Sequence, residues 1–412
     1  MSRILFILPG IPLDFNYSGA ASRYAQNFFS LKELGAEMHV VRFHFPNQFQ
    51  LVADFELASE SAKAAREYAK SWKEVNVPEN RPTGKLDVFR RIFLDPVAFE
   101  FPGYQYLAKE LAEVIGEVSP DLIWAEYSDV AAAIWYLAPS VPWIYSSTDM
   151  RYLVRAIRNK NRFLLQSIVD LFRQKAEIKI SRSANLVITG SSTEAGRLNK
   201  MGCRNVSVVP MISKDFPNID LSAPAFVDLR VVHLGSLETT ANRNGLSDYL
   251  SKAHPLVLKL CAENHCLGEL VIIGDASRVK PALSRLLLQT GILLTGHVPD
   301  LSTVLRPYDI AILPYSQDSG YRTKLPVLMG YAQVIVATRS AVAGSLLPGL
   351  DKVCILLERV EDFPDKIAWL SAHPDERKRL GQAGRLFAEE HFSLDAVSHL
   401  YVNIFGEAFS RS

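Results

Sequence analysis

The chain has 412 residues, of which 48% are hydrophobic and 22% charged, and a formal net charge of +1. This length favours two or three domains with cores of their own over a single domain. The near-neutral charge argues against a protein that binds nucleic acid through phosphate attraction. The four cysteines form no CxxC pair, which argues against a zinc or disulfide framework and favours a reducing, cytoplasmic compartment.

The first half of the chain alternates short apolar runs with helical patterns. Strands are predicted at Ile4–Leu8, Met38–Phe43, Asp121–Trp124, Trp143–Ser146, Ala184–Thr189 and Val206–Pro210, and helices at about 20–34, 58–76, 105–117 and 128–138. Residues 81–104 are expected to be irregular. Such alternation is typical of a parallel, doubly wound sheet. No apolar run is long enough for a membrane-spanning helix.

The second half repeats this pattern after a poorly periodic, proline-containing stretch at Ser213–Asp228, which is the candidate linker. Strands are predicted at Arg230–Leu234, Glu269–Ile273, Ile292–Thr295, Ile310–Leu313, Val334–Ala337 and Cys354–Leu356, with a long helix over about 374–391. We therefore expect an N-terminal domain over 1–212, a second domain over 213–390, and a last segment over 391–412.

Loops at the ends of the second set of strands carry most of the polar candidates. They contain Gly235 and Ser236, Gly274, His297 and Val298, and the stretch from Tyr315 to Lys324. Ligands of open α/β sheets bind outside the carboxyl ends of the strands, so these loops are expected to converge. For any one of these glycines taken alone, the alternative is that it simply ends a strand and binds no ligand.

Two cations, Arg322 and Lys324, follow a turn that contains Gly320 and precede a helix-like piece. Guanidinium and ammonium groups at this place suit a diphosphate. No pair of histidines has metal-ligand spacing and no D-x-D motif follows a strand, so no metal and no cofactor are predicted.

In the first half, Glu126, Tyr127 and Ser128 follow one predicted strand, and Asp149 follows the next. These side chains are expected to face a cleft, although Asp149 has an alternative role as the N-cap of a helix. Arg23 lies one turn into the first helix. For this residue a solvated helix charge and a phosphate contact remain open.

A basic stretch runs from Arg151 to Arg182, with nine Lys or Arg against two Asp or Glu. Apolar residues are interleaved with these cations. One interpretation is a solvated pair of helices over the core. The other is a face that touches anionic lipid or a lipid-linked acceptor at the inner face of the membrane.

These patterns together resemble the retaining, family-4-type GT-B glycosyltransferases, the glycosyl transferases group 1. The resemblance rests on Gly296–Leu301, Tyr308–Pro314, Gly320-x-Arg322-x-Lys324, Val336–Thr338, Ala184–Ser192, Asn205–Pro210 and Phe392–Val397. It implies two Rossmann-like doubly wound domains that face each other across a cleft, with the last helix returning to the N-terminal domain.

The resemblance also implies roles for particular residues. Arg322 and Lys324 match the cations that hold the donor's diphosphate, and Val298 matches the loop that meets the base. Gly19 matches the glycine that lets the acceptor domain approach the donor phosphates. Together with the residues that follow the strands of the first half, the predicted catalytic set is Arg322, Lys324, Asp149 and Glu126.

The sequence departs from the family pattern where two glutamates are usual. Ser319 stands at the first place and Val327 at the second, which normally binds the ribose. Asp318 is a candidate replacement, and Thr148 stands where many relatives carry a histidine.

The expected function is transfer of a sugar, with retention and without metal, from a nucleotide-diphosphate sugar to a glycan, glycolipid or polysaccharide precursor. The alternatives are a catalytically degenerate partner or scaffold subunit, and a sugar-nucleotide 2-epimerase.

Overall fold

A computed structural model describes most of the chain. The residues it describes are 2–15, 17–44, 59–78, 91–148, 150, 164–213, 216–226, 228–263, 268–277, 279, 281–288, 291–316 and 321–410. The chain forms two compact units. Unit 1 comprises Met1–Met211 with Val397–Ser412, and unit 2 comprises Ile212–Ala396.

Unit 1 alternates strands and helices. Its elements are β1 (Arg3–Pro9), α1 (Gly19–Glu33), β2 (Glu37–His44), α2 (Glu60–Tyr68), β3 (Ser71–Asn76), α3 (Pro96–Glu100), α4 (Tyr104–Val118), β4 (Leu122–Glu126), α5 (Ser128–Leu137), β5 (Trp143–Ser147), α6 (Leu164–Ser183), β6 (Leu186–Thr189), α7 (Ser192–Lys200) and β7 (Val206–Val208).

Unit 2 repeats the alternation. Its elements are β8 (Leu229–Leu234), α8 (Thr240–Lys252), α9 (His254–Glu263), β9 (Gly268–Ile273), α10 (Pro281–Leu286), β10 (Ile292–Gly296), β11 (Ile310–Leu313), α11 (Lys324–Gly330), β12 (Val334–Thr338), α12 (Arg339–Val342), α13 (Leu350–Val353), β13 (Ile355–Leu357), α14 (Phe363–Ala372) and α15 (Pro374–Phe392). The last helix, α16 (Leu394–Ser410), begins in unit 2 and continues in unit 1.

Each unit contains one parallel sheet among its described residues. The strand order is β3-β2-β1-β4-β5-β6-β7 in unit 1 and β10-β9-β8-β11-β12-β13 in unit 2. In each unit, the strands that follow the first one are added on one side of it and then on the other. This change of side is typical of a doubly wound sheet. The predicted α/β class with two Rossmann-like doubly wound sheets is confirmed.

The central strands are apolar because both of their faces are covered. In unit 2 one core cluster contains Val231, Ile310 and Ile312, while another contains Val232 and Ala311. Alternate residues of one strand thus pack into the cores on opposite faces of the sheet. Both sets are apolar, so the sequence of each strand is a continuous apolar run.

Local signals set several helix boundaries. Ser18 Oγ accepts a hydrogen bond from the Ala21 N–H and so caps α1. Asp95 caps α3 in the same way through the Ala98 N–H, with Pro96 at the first helical position. These arrangements satisfy amide groups that a helix start would otherwise leave unpaired.

Two predictions of secondary structure were wrong. The helix expected over 58–76 ends at Tyr68, and Ser71–Asn76 forms the edge strand β3. Residues 81–104, expected to be irregular, contain helix α3, while 79–90 lie outside the described residues. Among the described residues, no helix is both long enough and apolar enough to cross a bilayer.

The α1 helix buries a polar face that binds other parts of unit 1. Arg23 Nη1 donates to the Val209 carbonyl at 2.8 Å, and Gln26 Nε2 donates to the Pro210 carbonyl at 2.8 Å. The Tyr401 hydroxyl, on α16, donates to Asn27 Oδ1 at 2.5 Å. Side-chain amides and a guanidinium therefore bind the segment after β7 and the final helix.

One carboxylate organises the edge of the unit 1 sheet. Glu74 accepts hydrogen bonds from Arg42 Nη2 at 2.7 Å, His44 Nε2 at 2.6 Å, Arg66 Nη2 at 2.8 Å and Trp72 Nε1 at 2.7 Å. Burial alone would raise the pKa of Glu74, but the hydrogen bonds from His44 and Arg42 lower it to about 2. Its ionised form is therefore strongly favoured in the folded state.

We predict that Glu74→Ala destabilises unit 1 by about 3 kcal/mol at pH 7, because Arg42 and His44 would remain buried after losing the Glu74 carboxylate. The folded-state pKa lies below the ordinary value. The stabilisation is therefore complete above pH 4.5 and is lost as the pH falls towards 2. Urea unfolding at pH 7 and pH 3 measures both effects, and the variant should lose less stability than the parent on acidification.

The matched control is Glu60→Ala, which removes an exposed ion pair with Lys63 and should change stability by less than about 1 kcal/mol. Equal unfolding midpoints for the Glu74 variant and the parent protein at pH 7 would contradict the prediction.

Candidate functional site

The candidate site in unit 2 lies where the strand order of the sheet reverses. β8 and β11 are neighbours there, although three helices and two strands separate them in sequence. The chain leaves β8 at Gly235 and leaves β11 at Pro314. Ligands of open α/β sheets bind at such switch points.

The Lys324 ammonium, at the start of α11, lies at this switch point. It donates to the Leu234 carbonyl at the end of β8, to Asn242 Oδ1 at 2.7 Å and to the Tyr315 hydroxyl at 2.7 Å. An ammonium has three N–H donors, so this set of acceptors is complete. All three acceptors are uncharged.

Tyr315 contacts both predicted cations. The Arg322 guanidinium carbon lies 4.8 Å from the centre of its ring, and Lys324 Nζ lies 5.1 Å from it. The Tyr315 carbonyl accepts hydrogen bonds from Thr338 Oγ1 and, at 2.8 Å, from Ser340 Oγ. The ring is buried, so the Arg322 guanidinium packs on a fixed aromatic ring, while the Lys324 ammonium is held at the hydroxyl group of that ring.

Arg322 is half-buried and tied to the segment after β12. Its Nε donates to the Ala341 carbonyl at 3.1 Å, and its backbone N–H donates to Ser345 Oγ at 3.3 Å. The guanidinium carries further N–H groups on Nη1 and Nη2. Its location beside Lys324 gives the site two positive charges.

Burial, together with the nearby Arg322 guanidinium, holds the pKa of Lys324 well below its ordinary value. Burial and the Lys324 ammonium also hold the pKa of His233 well below its ordinary value. His233 Nε2 lies 3.3 Å from the Tyr315 hydroxyl. Among the described residues Lys324 has no ion pair, so an anion that entered here would stabilise the positively charged form of Lys324.

The backbone at this switch point requires glycine. Gly235 has φ +130°, and a Cβ on it would lie 2.5 Å from Lys324 Nζ. Gly274 has φ +142°, and a Cβ there would lie 2.5 Å from the Gly235 carbonyl carbon. The Gly235–Ser236 peptide thus packs directly on Gly274, in a conformation that other residues rarely adopt.

The sequence reasoning missed Asn242. Asn242 joins Lys324 to the loop after β8, since its Nδ2 donates to the Ser236 carbonyl at 2.8 Å. A single asparagine in a helix belongs to no motif. The only available signal was its place in the first turn of the helix that follows Gly235 and Ser236.

Other predicted donor residues differ in their surroundings. His297 is exposed, while Val298 is half-buried and packs against the core. Asp318, Ser319 and Gly320 lie outside the described residues. The roles proposed for these five residues remain predictions.

In unit 1 the predicted residues lie at the other switch point, between β1 and β4. Glu126 ends β4 with no exposed surface, and its Oε1 accepts from Asn27 Nδ2 at 2.6 Å and from Trp124 Nε1 at 2.8 Å. Burial raises its pKa to about 7, although hydrogen bonds from Asn27 and Ser146 oppose the rise. Its second oxygen, Oε2, has no partner among the described residues.

The neighbours of Glu126 are also buried. Arg23 is only 1% exposed, so the interpretation as a solvated helix charge is wrong. Tyr127 adopts φ +76° between β4 and α5, and Ser128 begins α5. Gly19 begins α1. Asp149 lies outside the described residues, so its two roles remain open.

The basic stretch 151–182 is described only from Leu164, the start of α6. Within that part, Asp170 and Glu177 are buried, while Lys175, Lys179 and Arg182 are exposed. In the described part of this stretch, the exposed charged side chains are therefore all cations, while both acids are buried. Among the described residues, no group of three His, Cys, Asp or Glu comes together as metal ligands.

Comparison with known proteins supports the resemblance. Residues 228–373, all within unit 2, match the family described as Glycosyl transferases group 1. A search of curated protein sequences gave no significant match. The GT-B glycosyltransferase fold and the glycosyltransferase class predicted from the sequence are confirmed.

Solved structures of similar fold cover essentially the whole chain. A sucrose-phosphate synthase from Thermosynechococcus elongatus is 15% identical, with a TM-score of 0.68 and 100% of each chain covered. A glycosyltransferase from Rickettsia africae is 15% identical, with a TM-score of 0.62, covering 100% of this chain and 99% of that one. Anabaena HepE in complex with UDP-glucose is 12% identical, with a TM-score of 0.60, covering 98% and 100%.

We predict that Gly274→Ala destabilises unit 2 by at least about 2 kcal/mol, because the added Cβ meets backbone atoms that have no room to move. Gly116→Ala is the control. No heavy atom lies within 4 Å of a Cβ there, and a helical alanine should stabilise by about 0.5–1 kcal/mol. Thermal unfolding of both variants checks the opposite signs, and an unchanged midpoint for Gly274→Ala would overturn the steric argument.

Proposed function

We propose that this protein, which carries a glycosyl transferases group 1 domain in a GT-B fold, transfers a sugar from a nucleotide-diphosphate sugar to a glycan, glycolipid or polysaccharide-precursor acceptor. The observation that carries the proposal is the pair of basic side chains, Arg322 and Lys324, which both contact Tyr315 at the switch point of unit 2. Anabaena HepE, a protein of similar fold, was solved with UDP-glucose.

The diphosphate of the donor would occupy the space beside these two cations. The bond from the anomeric carbon to the diphosphate oxygen breaks during transfer, and negative charge grows on the departing diphosphate. Positive groups fixed before the reaction stabilise that charge without reorganising. We propose that Arg322 and Lys324 do this without a metal ion or cofactor.

We propose transfer with retention of configuration. The acceptor hydroxyl would attack from the face that the diphosphate leaves, and a phosphate oxygen would take the hydroxyl proton. This route needs no strong base from the protein. A positively charged Lys324 would assist this step by favouring departure of the diphosphate.

The acceptor is proposed to bind unit 1 at the carboxyl ends of β4 and β5. Arg23 supports this, since its Nε and Nη2 are buried without partners among the described residues. The free Oε2 of Glu126 and the free hydroxyl of Ser128 add an acceptor and a donor. Buried polar atoms of this kind require a hydrogen-bonding partner, either water or a ligand.

We predict that Lys324→Ala lowers turnover at least about 10²-fold, the usual loss when one donor to developing negative charge is removed. Arg339→Ala is the control, because Arg339 is an exposed cation of unit 2 paired with Glu358. The assay measures sugar release from a panel of nucleotide-sugars. Near-normal turnover of the Lys324 variant would contradict the proposal.

The same panel tests the alternatives. A parent protein that binds no nucleotide would favour a scaffold role. A sugar-nucleotide product altered at C2, formed without any acceptor, would favour the epimerase.

We further propose that the acceptor is lipid-linked and that unit 1 meets an anionic bilayer through α6. Ile168 and Leu171 are exposed at one end of the cationic face, and Leu171 is 56% exposed. Phe93 is 44% exposed and packs on Phe172 of α6, with ring centres 5.0 Å apart. Apolar side chains beside lysines are typical of surfaces that enter the headgroup region.

We predict that the double substitution Lys175→Glu and Lys179→Glu weakens binding to phosphatidylserine-containing vesicles at least about 30-fold, since each cation near such a surface contributes about 1 kcal/mol. Lys63→Glu with Lys109→Glu changes the net charge equally on other exposed helices and should bind like the parent. Co-sedimentation measures both. Equal binding of all three proteins would exclude α6 as the contact.

A further inference from the structure

Asn242 connects two parts of the unit 2 site through both ends of its side-chain amide. Oδ1 accepts from Lys324 Nζ at 2.7 Å, and Nδ2 donates to the Ser236 carbonyl at 2.8 Å. An ammonium only donates and a carbonyl only accepts, so one orientation of the amide satisfies both contacts. Asn242 therefore fixes the ammonium relative to the backbone after β8.

The three acceptors of Lys324 differ in how easily they give way. The Leu234 carbonyl belongs to the backbone at the end of β8. Tyr315 is buried, and its carbonyl accepts from Thr338 and Ser340. Asn242 is half-buried in the first turn of α8, on a side chain that rotates about two bonds. A ligand oxygen can therefore displace the Asn242 side chain from Lys324 with the least movement of the surrounding structure.

We propose that Asn242 is a positioning residue for the donor's diphosphate. It holds the Lys324 ammonium in place before the donor binds, and it yields its acceptor contact to a phosphate oxygen when the donor arrives. This inference rests on the proposed function, because it concerns the same two cations and the same ligand.

The choice of an amide over a carboxylate has a physical consequence. A neutral acceptor orients the ammonium and leaves its charge for the diphosphate. A carboxylate at 2.7 Å would form an ion pair with Lys324, and the diphosphate would then compete with a fixed anion. The lowered pKa of Lys324 agrees with the absence of such an anion among the described residues.

The test is calorimetric binding of UDP, GDP and ADP to the full chain between pH 6 and pH 9. Asn242→Ala should weaken the best-bound nucleotide by up to about tenfold, because a Lys324 side chain that is no longer held in place has to be ordered when the nucleotide binds. Asn242→Asp should weaken it at neutral pH as well. The aspartate should also move the pH at which affinity falls to a higher value, because it raises the pKa of Lys324.

Asn244→Ala is the matched control, since it changes the same residue type two positions further along α8 and should bind like the parent. Thermal unfolding of each variant accompanies the binding data. Weaker binding by Asn242→Ala, with an unmoved pH profile in Asn242→Asp, would assign Asn242 a purely structural role and overturn the inference.

Two further outcomes separate the inference from the function on which it rests. A parent protein that binds none of the three diphosphates would overturn both. A parent that binds one of them, with both Asn242 variants binding it equally well and with the same pH profile, would overturn the inference alone.

Discussion

The arrangement of unit 2 depends on the position of one ammonium group. Lys324 Nζ bonds acceptors that lie 90, 82 and 9 residues away in sequence, on β8, on α8 and after β11. These contacts require the strand order that brings β8 beside β11. They also require a glycine at 235, because a side chain there would occupy the place of the ammonium. The hydrogen bonds of the Lys324 ammonium thus connect the elements of the unit 2 fold and also shape the candidate site.

Glu74 in unit 1 and Lys324 in unit 2 differ in the charge of their partners. In unit 1, Glu74 is surrounded by Arg42, His44 and Arg66, so its charge is fully compensated and the cluster stabilises the sheet edge. In unit 2, the described partners of Lys324 are all neutral. A compensated charge contributes to stability and attracts no further ion, whereas an oriented and uncompensated charge costs stability and binds an anion. The contrast supports the proposal that unit 2 binds an anion.

The sequence predicted the central strands well because they are buried on both faces and read as apolar runs. It failed at Ser71–Asn76, where an edge strand carries charged residues that pair with neighbours and so resembles an exposed helix. Arg322 and Lys324 were found because a known motif contains them. Asn242 was not, since its importance arises only when α8 folds against α11, a contact across 82 residues. The burial of Arg23 could not be predicted either, because a charged residue in a helix pattern is normally expected at the surface.

The position of Val327 beside Lys324 suggests a consequence of having valine where the family usually has glutamate. Val327 is half-buried on α11, one turn after Lys324, and its side chain has no hydrogen-bonding atom. A glutamate there would bind a ribose hydroxyl, and it would also place a negative charge one helical turn from the ammonium. Its replacement removes a ligand contact and a competing anion together. If the proposed function holds, recognition of the donor would therefore rest mainly on the diphosphate, where a neutral amide orients the ammonium.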